Sequence, residues 1–121
     1  MSNCNSSDIT HPRKTTLSRL ITITQSSNGL PFNITGYTFY FTIKDISDNV
    51  NNDNFALFTK TWTTHSDPTN GQTLLTATAS EMDIPENTYK YDIQAKSATG
   101  EIMLVSYGNL IIEDLVTEEV I

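Results

Sequence analysis

Thiols and imidazoles, the side chains most readily made nucleophile or base near neutral pH, are few in this chain of 121 residues. They are Cys4, His11 and His65. A hydrolytic nucleophile needs a base within reach and a third group to orient that base. No Gly-x-Ser-x-Gly elbow occurs, and Cys4 stands in a polar stretch. Both histidines read as solvated surface residues, so no catalytic residue is assigned. Asp45, Asp48 and Asp53 share a loop with Asn49, Asn51, Asn52 and Asn54. That oxygen-rich set could hold Ca²⁺, but it lacks the glycine and glutamate spacing of an EF-hand. It reads as a solvated loop with no metal. Glu81, Asp83 and Glu86 could pair carboxylates for glycoside chemistry. Around a helical turn they read instead as N-terminal charge. The five glycines each stand alone, so no phosphate-cradling loop exists and no cofactor is expected. Tyr40, Phe58 and Trp62 remain as a surface for stacking a sugar or docking a protein. Alternation sets Tyr40 opposite Tyr37, Phe39 and Phe41, which makes it the best exposed candidate.

The elements that must position these residues are strands. Tyr89, Tyr91, Ile93 and Ala95 alternate with Lys90, Asp92, Gln94 and Lys96, a period of two with one face buried. A polar turn with Gly100 reverses the chain into Ile102–Tyr107. Tyr37, Phe39, Phe41 and Ile43 alternate in the same way with Thr38, Tyr40, Thr42 and Lys44, and predict the strongest strand. Further strands are expected at Leu17–Gln25, Phe55–Thr63, Gln72–Ala79 and Leu110–Leu115. In the second of these, Phe58 and Trp62 fall on one side and Leu57 on the other. Asn28-Gly29 and Asp67-Pro68-Thr69-Asn70-Gly71 are turns. Ser80–Asp83 predicts one helical turn with Ser80 as its N-cap. About seven strands at regular spacing suit a two-sheet sandwich.

Composition narrows the function classes. The length fits one domain with a core of its own. Lys and Arg number 7 against 14 Asp and Glu, a net charge of −7. A partner nucleic acid or anionic membrane would meet no basic excess, so neither is expected. A single cysteine forms no intrachain disulfide, and synthesis in a reducing cytosol is the expectation. The N-terminus shows no apolar leader, and no run approaches a membrane span. Residues 1–16 are polar and read as a flexible arm, residues 17–117 as the domain and 118–121 as a tail.

Two segments carry a resemblance. Ser27-Asn28-Gly29-Leu30-Pro31-Phe32-Asn33-Ile34-Thr35-Gly36, continuing through Tyr37–Asp45, resembles a stretch common in phage structural modules. So does the run from Asp67–Gly71 through Ser80-Glu81-Met82-Asp83-Ile84-Pro85 to Tyr89-Lys90-Tyr91-Asp92-Ile93-Gln94. Together they resemble the Ig-like N-terminal domain of phage upper baseplate proteins and tail-fibre anchors. Asn87 stands where that family has a turn glycine, and is expected to take the left-handed conformation. The resemblance implies an all-β, Ig-like antiparallel β-sandwich with one short helical turn. It implies a non-enzymatic virion protein that docks on other phage proteins of the tail or baseplate, present in many copies or as a homo-oligomer. Assembly would occur in the host cytoplasm. Capsid decoration is the alternative within that class, and a carbohydrate-binding module for the host surface is the alternative outside it. His11, Arg13 and Lys14 of the arm, with Tyr40, are the expected partner-binding residues.

Overall fold

A computed structural model describes residues 5–25, 27–45 and 56–114. Eight strands form, β1 Asn5–Ser6, β2 Ile9–Pro12, β3 Leu17–Thr22, β4 Thr38–Asp45, β5 Ala56–Trp62, β6 Gln72–Ala77, β7 Asn87–Lys96 and β8 Ile102–Glu113. The larger sheet runs β8-β7-β4-β5, with β1 and β2 both on the free side of β8. The smaller sheet is β3-β6 alone. β7 pairs antiparallel with both β4 and β8, whereas β1 and β2 run parallel to β8. A four-strand antiparallel sheet facing a two-strand one, with the first strand crossing to the last, is an immunoglobulin-like sandwich.

The alternation in the chain sets the core. Phe39, Phe41 and Ile43 of β4 and Tyr89, Tyr91, Ile93 and Ala95 of β7 are all buried. They face Leu17, Leu75 and Ala77 of the small sheet, with which they form one hydrophobic cluster. Phe39 stacks on Trp62, with centroids 5.5 Å apart, and Phe41 meets Phe58 edge-on at 6.3 Å. Each such pair adds about 0.5–1.5 kcal/mol beyond the area it buries. The Tyr89 hydroxyl donates to the Pro85 carbonyl at 2.6 Å, four residues upstream. This is the tyrosine corner of Ig-like domains, which fixes the entry to β7. Burial pushes the Tyr89 phenol up, the Asp45 charge adds to that, and Arg13 opposes it.

Four expectations are corrected. Residues 5–13 do not form a free arm. Ile9 is 3 % exposed and sits in the core, and β2 is hydrogen-bonded to β8 over Ile9–Pro12. A single apolar residue carries no period, so the sequence hid this strand. The segments around Ile102–Tyr107 and Leu110–Ile112 are one strand, not two. Gly108 keeps it continuous because the chain between β1 and β2 crosses there. A side chain at 108 would meet the Ser7 carbonyl, and Asp8 Oδ1 accepts the Asn109 N–H at 3.0 Å. The turn before β7 is capped by Thr78, not Ser80. Thr78 Oγ1 accepts the Glu81 N–H at 3.1 Å, and Glu81 Oε1 accepts the Thr78 N–H at 2.8 Å. That is a reciprocal capping box. Asn87 does not take the left-handed conformation. It begins β7, and Lys14 is the one non-glycine with positive φ among the described residues.

Candidate functional site

The predicted site residues do not converge. His11, Arg13 and Lys14 lie at the foot of β2 and in the turn after it. The His11 ring Nε2 lies 3.0 Å from the Thr15 carbonyl. Arg13 Nε donates to Asp83 Oδ1 at 3.0 Å, with Asp114 Oδ1 4.0 Å from its other end. The Lys14 backbone N–H donates to the Met82 carbonyl at 3.1 Å. The His11 ring and the Arg13 guanidinium are spent on the fold itself, and Arg13 with the Lys14 backbone pins the N-terminal strand to the capped turn, while the Lys14 side chain stays exposed. A half-exposed ion pair of this kind contributes under about 1 kcal/mol. Tyr40 is elsewhere, on the outer face of β4, with β7 and β8 between it and β2.

His65 is not a solvated surface residue either. Its Nε2 lies 2.8 Å from the Tyr37 carbonyl, which can only accept, so Nε2 carries the proton. In the neutral ring Nδ1 then accepts, at 2.9 Å, from the fully buried Thr73 hydroxyl. The Thr73 oxygen in turn accepts the Trp62 indole N–H at 2.8 Å. The chain of donors ties β5 to β6 and closes one end of the sandwich. It leaves neither Trp62 nor His65 available as a platform or a base. Glu81, Asp83 and Glu86 do not pair as carboxylates. Glu81 receives Lys60 Nζ at 3.1 Å, and its carboxyl is held below the ordinary value by the Thr78 N–H first and Lys60 second. Cys4 and the loop at 46–55 lie outside the described residues. Among the described residues no three His, Cys, Asp or Glu are close enough to hold a metal ion, and no helix is long and apolar enough to cross a membrane.

Two surfaces stand out, and each depends on how a sheet ends. The first is a groove of about 460 Å³ beside β3. Among the described residues β3 pairs only with β6, so its other edge is free. Ile9, Ile21, Leu75, Ile93 and Val105 line the groove, with Arg19 among them. Arg19 faces the same side as its register partner Leu75 but remains exposed. Val105 reaches this wall because a bulge inserts it opposite the Ile93/Gln94 step of β7. Sequence periodicity missed the site, since the bulge breaks the period of two in β8. The second surface is the outer face of the large sheet. A depression of about 660 Å³ lies over β4 and β7, lined by Tyr40, Thr42, Lys44, Lys90, Asp92, Gln94 and Lys96. Ile102, Leu104 and Tyr107 extend it along β8, all exposed. Tyr40 is half-buried with its ring on this face, as the alternation predicted.

These features define an Ig-like β-sandwich module with an open small sheet. Comparison with known proteins adds one likeness of shape. A solved structure of murine CRIg aligns at a TM-score of 0.39 with 15% identity, over 88% of this chain and 92% of that one. That likeness is too loose to bear on function. No protein-family model and no curated protein matches the chain.

Proposed function

We propose that this chain is a non-catalytic structural protein of a bacteriophage virion, an Ig-like adaptor that docks on other proteins of the tail or baseplate. The resemblance of the Ser27–Asp45 and Asp67–Gln94 segments supports the virion assignment. The free edge of β3 is the observation that carries the docking role. An unpaired edge offers backbone donors and acceptors to an incoming strand. The groove beside it would take the apolar side chains of that strand, and Arg19 would pair with a carboxylate on it. Such a strand completes the smaller sheet in the way β1 and β2 complete the larger one.

The test is quantitative mass spectrometry on purified phage particles, with isotope-labelled peptides of this chain as standards. A small fixed copy number is expected, as a tail or baseplate ring requires. A shell-scale copy number would favour capsid decoration, and absence from particles would overturn the virion reading. Particles assembled with Arg19→Glu should incorporate less of the chain, although the isolated variant folds normally.

A second reading rests on a different observation. Tyr40 stands among Thr42, Asp92 and Gln94 in the outer groove, an aromatic face beside hydroxyl-binding groups. That combination supports a carbohydrate-binding role for this face.

A further inference from the structure

The outer groove is positive on an acidic molecule. Among the described lining residues, Lys44, Lys90 and Lys96, three of the five lysines, stand against one carboxylate, Asp92. Across the whole chain the balance is −7. Lys44 and Lys90 are direct cross-strand partners in the β4–β7 register, Lys44 buried and Lys90 exposed. Lys96 follows three pairs along the same strand, across from Thr38 and beside Tyr40.

Resting on the carbohydrate reading of this face, we propose that the groove binds an anionic saccharide, a chain bearing carboxylate or sulfate groups. The Tyr40 ring supplies a stacking surface for one sugar face. Lys90 and Lys96, both exposed, are flexible point charges that suit a carboxylate or sulfate without fixed geometry. Gln94 Nε2 donates to Asp92 Oδ2 at 3.2 Å, which leaves the Gln94 amide oxygen and the Thr42 hydroxyl in the groove as groups for sugar hydroxyls, and a carboxylate within the groove suits hydroxyls rather than a continuous line of phosphates. The net charge works in the same direction. A long polyanion laid across the molecule would be repelled by the rest of the surface, whereas a short oligosaccharide covers only the groove.

The experiment is calorimetric titration of the full chain with three probes at physiological salt: a heparin tetrasaccharide, a neutral dextran tetrasaccharide and a single-stranded oligonucleotide. The heparin fragment is expected to bind, more weakly as salt rises. The Lys90→Gln/Lys96→Gln double variant should lose about tenfold in affinity, the sum of two exposed charge contacts. Tyr40→Ala should weaken binding with the fold intact by circular dichroism, and if it fails to fold the lysine pair alone decides the site. Equal, Tyr40-dependent binding of dextran would overturn the anionic assignment and leave the carbohydrate reading standing. Binding of no saccharide would overturn both. Heparin binding untouched by either variant would place the site elsewhere, and tighter binding of the oligonucleotide would replace the saccharide with nucleic acid.

Discussion

The two sheets of this sandwich end differently. The large sheet takes its eighth strand's free side and covers it with β1 and β2, so that Ile9 enters the core. At its other end β5 carries Lys60, which faces inward opposite Phe41 and is held by Glu81. An inward charge on an edge strand discourages unwanted pairing. On β3 no strand among the described residues covers the edge, and its inward-side charge, Arg19, is exposed, whereas Lys60 is part-buried on Glu81. The free side of β3 opens onto a groove walled by core side chains, with Arg19 beside it. One sheet has an edge covered by its own chain, and among the described residues the other has none. The difference lies in what each edge meets: those of the large sheet are covered by β1 and β2 or guarded by Lys60, while that of β3 opens onto an apolar groove beside an exposed Arg19.

That contrast can be broken at the covered end first. Ile9→Ala removes the buried anchor of β2 and should cost about 3 kcal/mol, within the range for such truncations. Chemical denaturation reads the loss, and hydrogen exchange should show it first in β2 and β8. An unchanged midpoint would mean that the N-terminal strands are not part of the cooperative unit. It would return residues 5–13 to the status of a free arm.

The seam between the sheets is the next target. Thr73→Val keeps the shape of a fully buried side chain but strands the Trp62 N–H and His65 Nδ1. A loss of about 2 kcal/mol is expected from buried groups left without partners. Double-mutant analysis with His65→Phe should show coupling, because both act through one hydroxyl. If the two losses simply add, the relay does not bind β6 to β5.

The smallest effect belongs to the guarded edge. The Glu81 carboxyl is held below its ordinary value by the Thr78 N–H and by Lys60. A lowered folded value contributes stability that is present above the unfolded value of about 4.3 and is lost as pH falls through the folded one. Glu81→Gln should therefore flatten the stability–pH curve between about pH 5 and pH 3 and change little near neutrality. Acid titration of the unfolding midpoint for both proteins checks this. Parallel curves would show that the loss of stability arises at other carboxylates.

Much of the fold was legible because its cause is local. A period of two in Tyr37–Ile43 and Tyr89–Ala95 states which face is buried before any partner is known. Asp67–Gly71 was legible for the same reason: Gly71 has φ 73°, and a side chain there would lie 2.7 Å from the Phe32 carbonyl oxygen. The site was less legible. Tyr40 could be placed on the outer face by counting, and the lysines beside it follow from the same alternation. Arg19 and the β3 groove could not be found this way, since nothing in Leu17–Thr22 says that its second neighbour is absent. The capping box was present as Thr78-x-x-Glu81, but Ser80 competes for the same role in the sequence.

By itself the sequence determined the class, the faces of the central strands and the turns, because side-chain alternation and positive φ are properties of a few neighbouring residues. Only the tertiary structure decided that residues 5–13 join the large sheet and that β8 runs unbroken through Gly108. It also decided that His65 is spent on Tyr37 and Thr73, and that β3 is left with a free edge. Each of these depends on a contact between residues far apart in the chain, whose free energy no local pattern records.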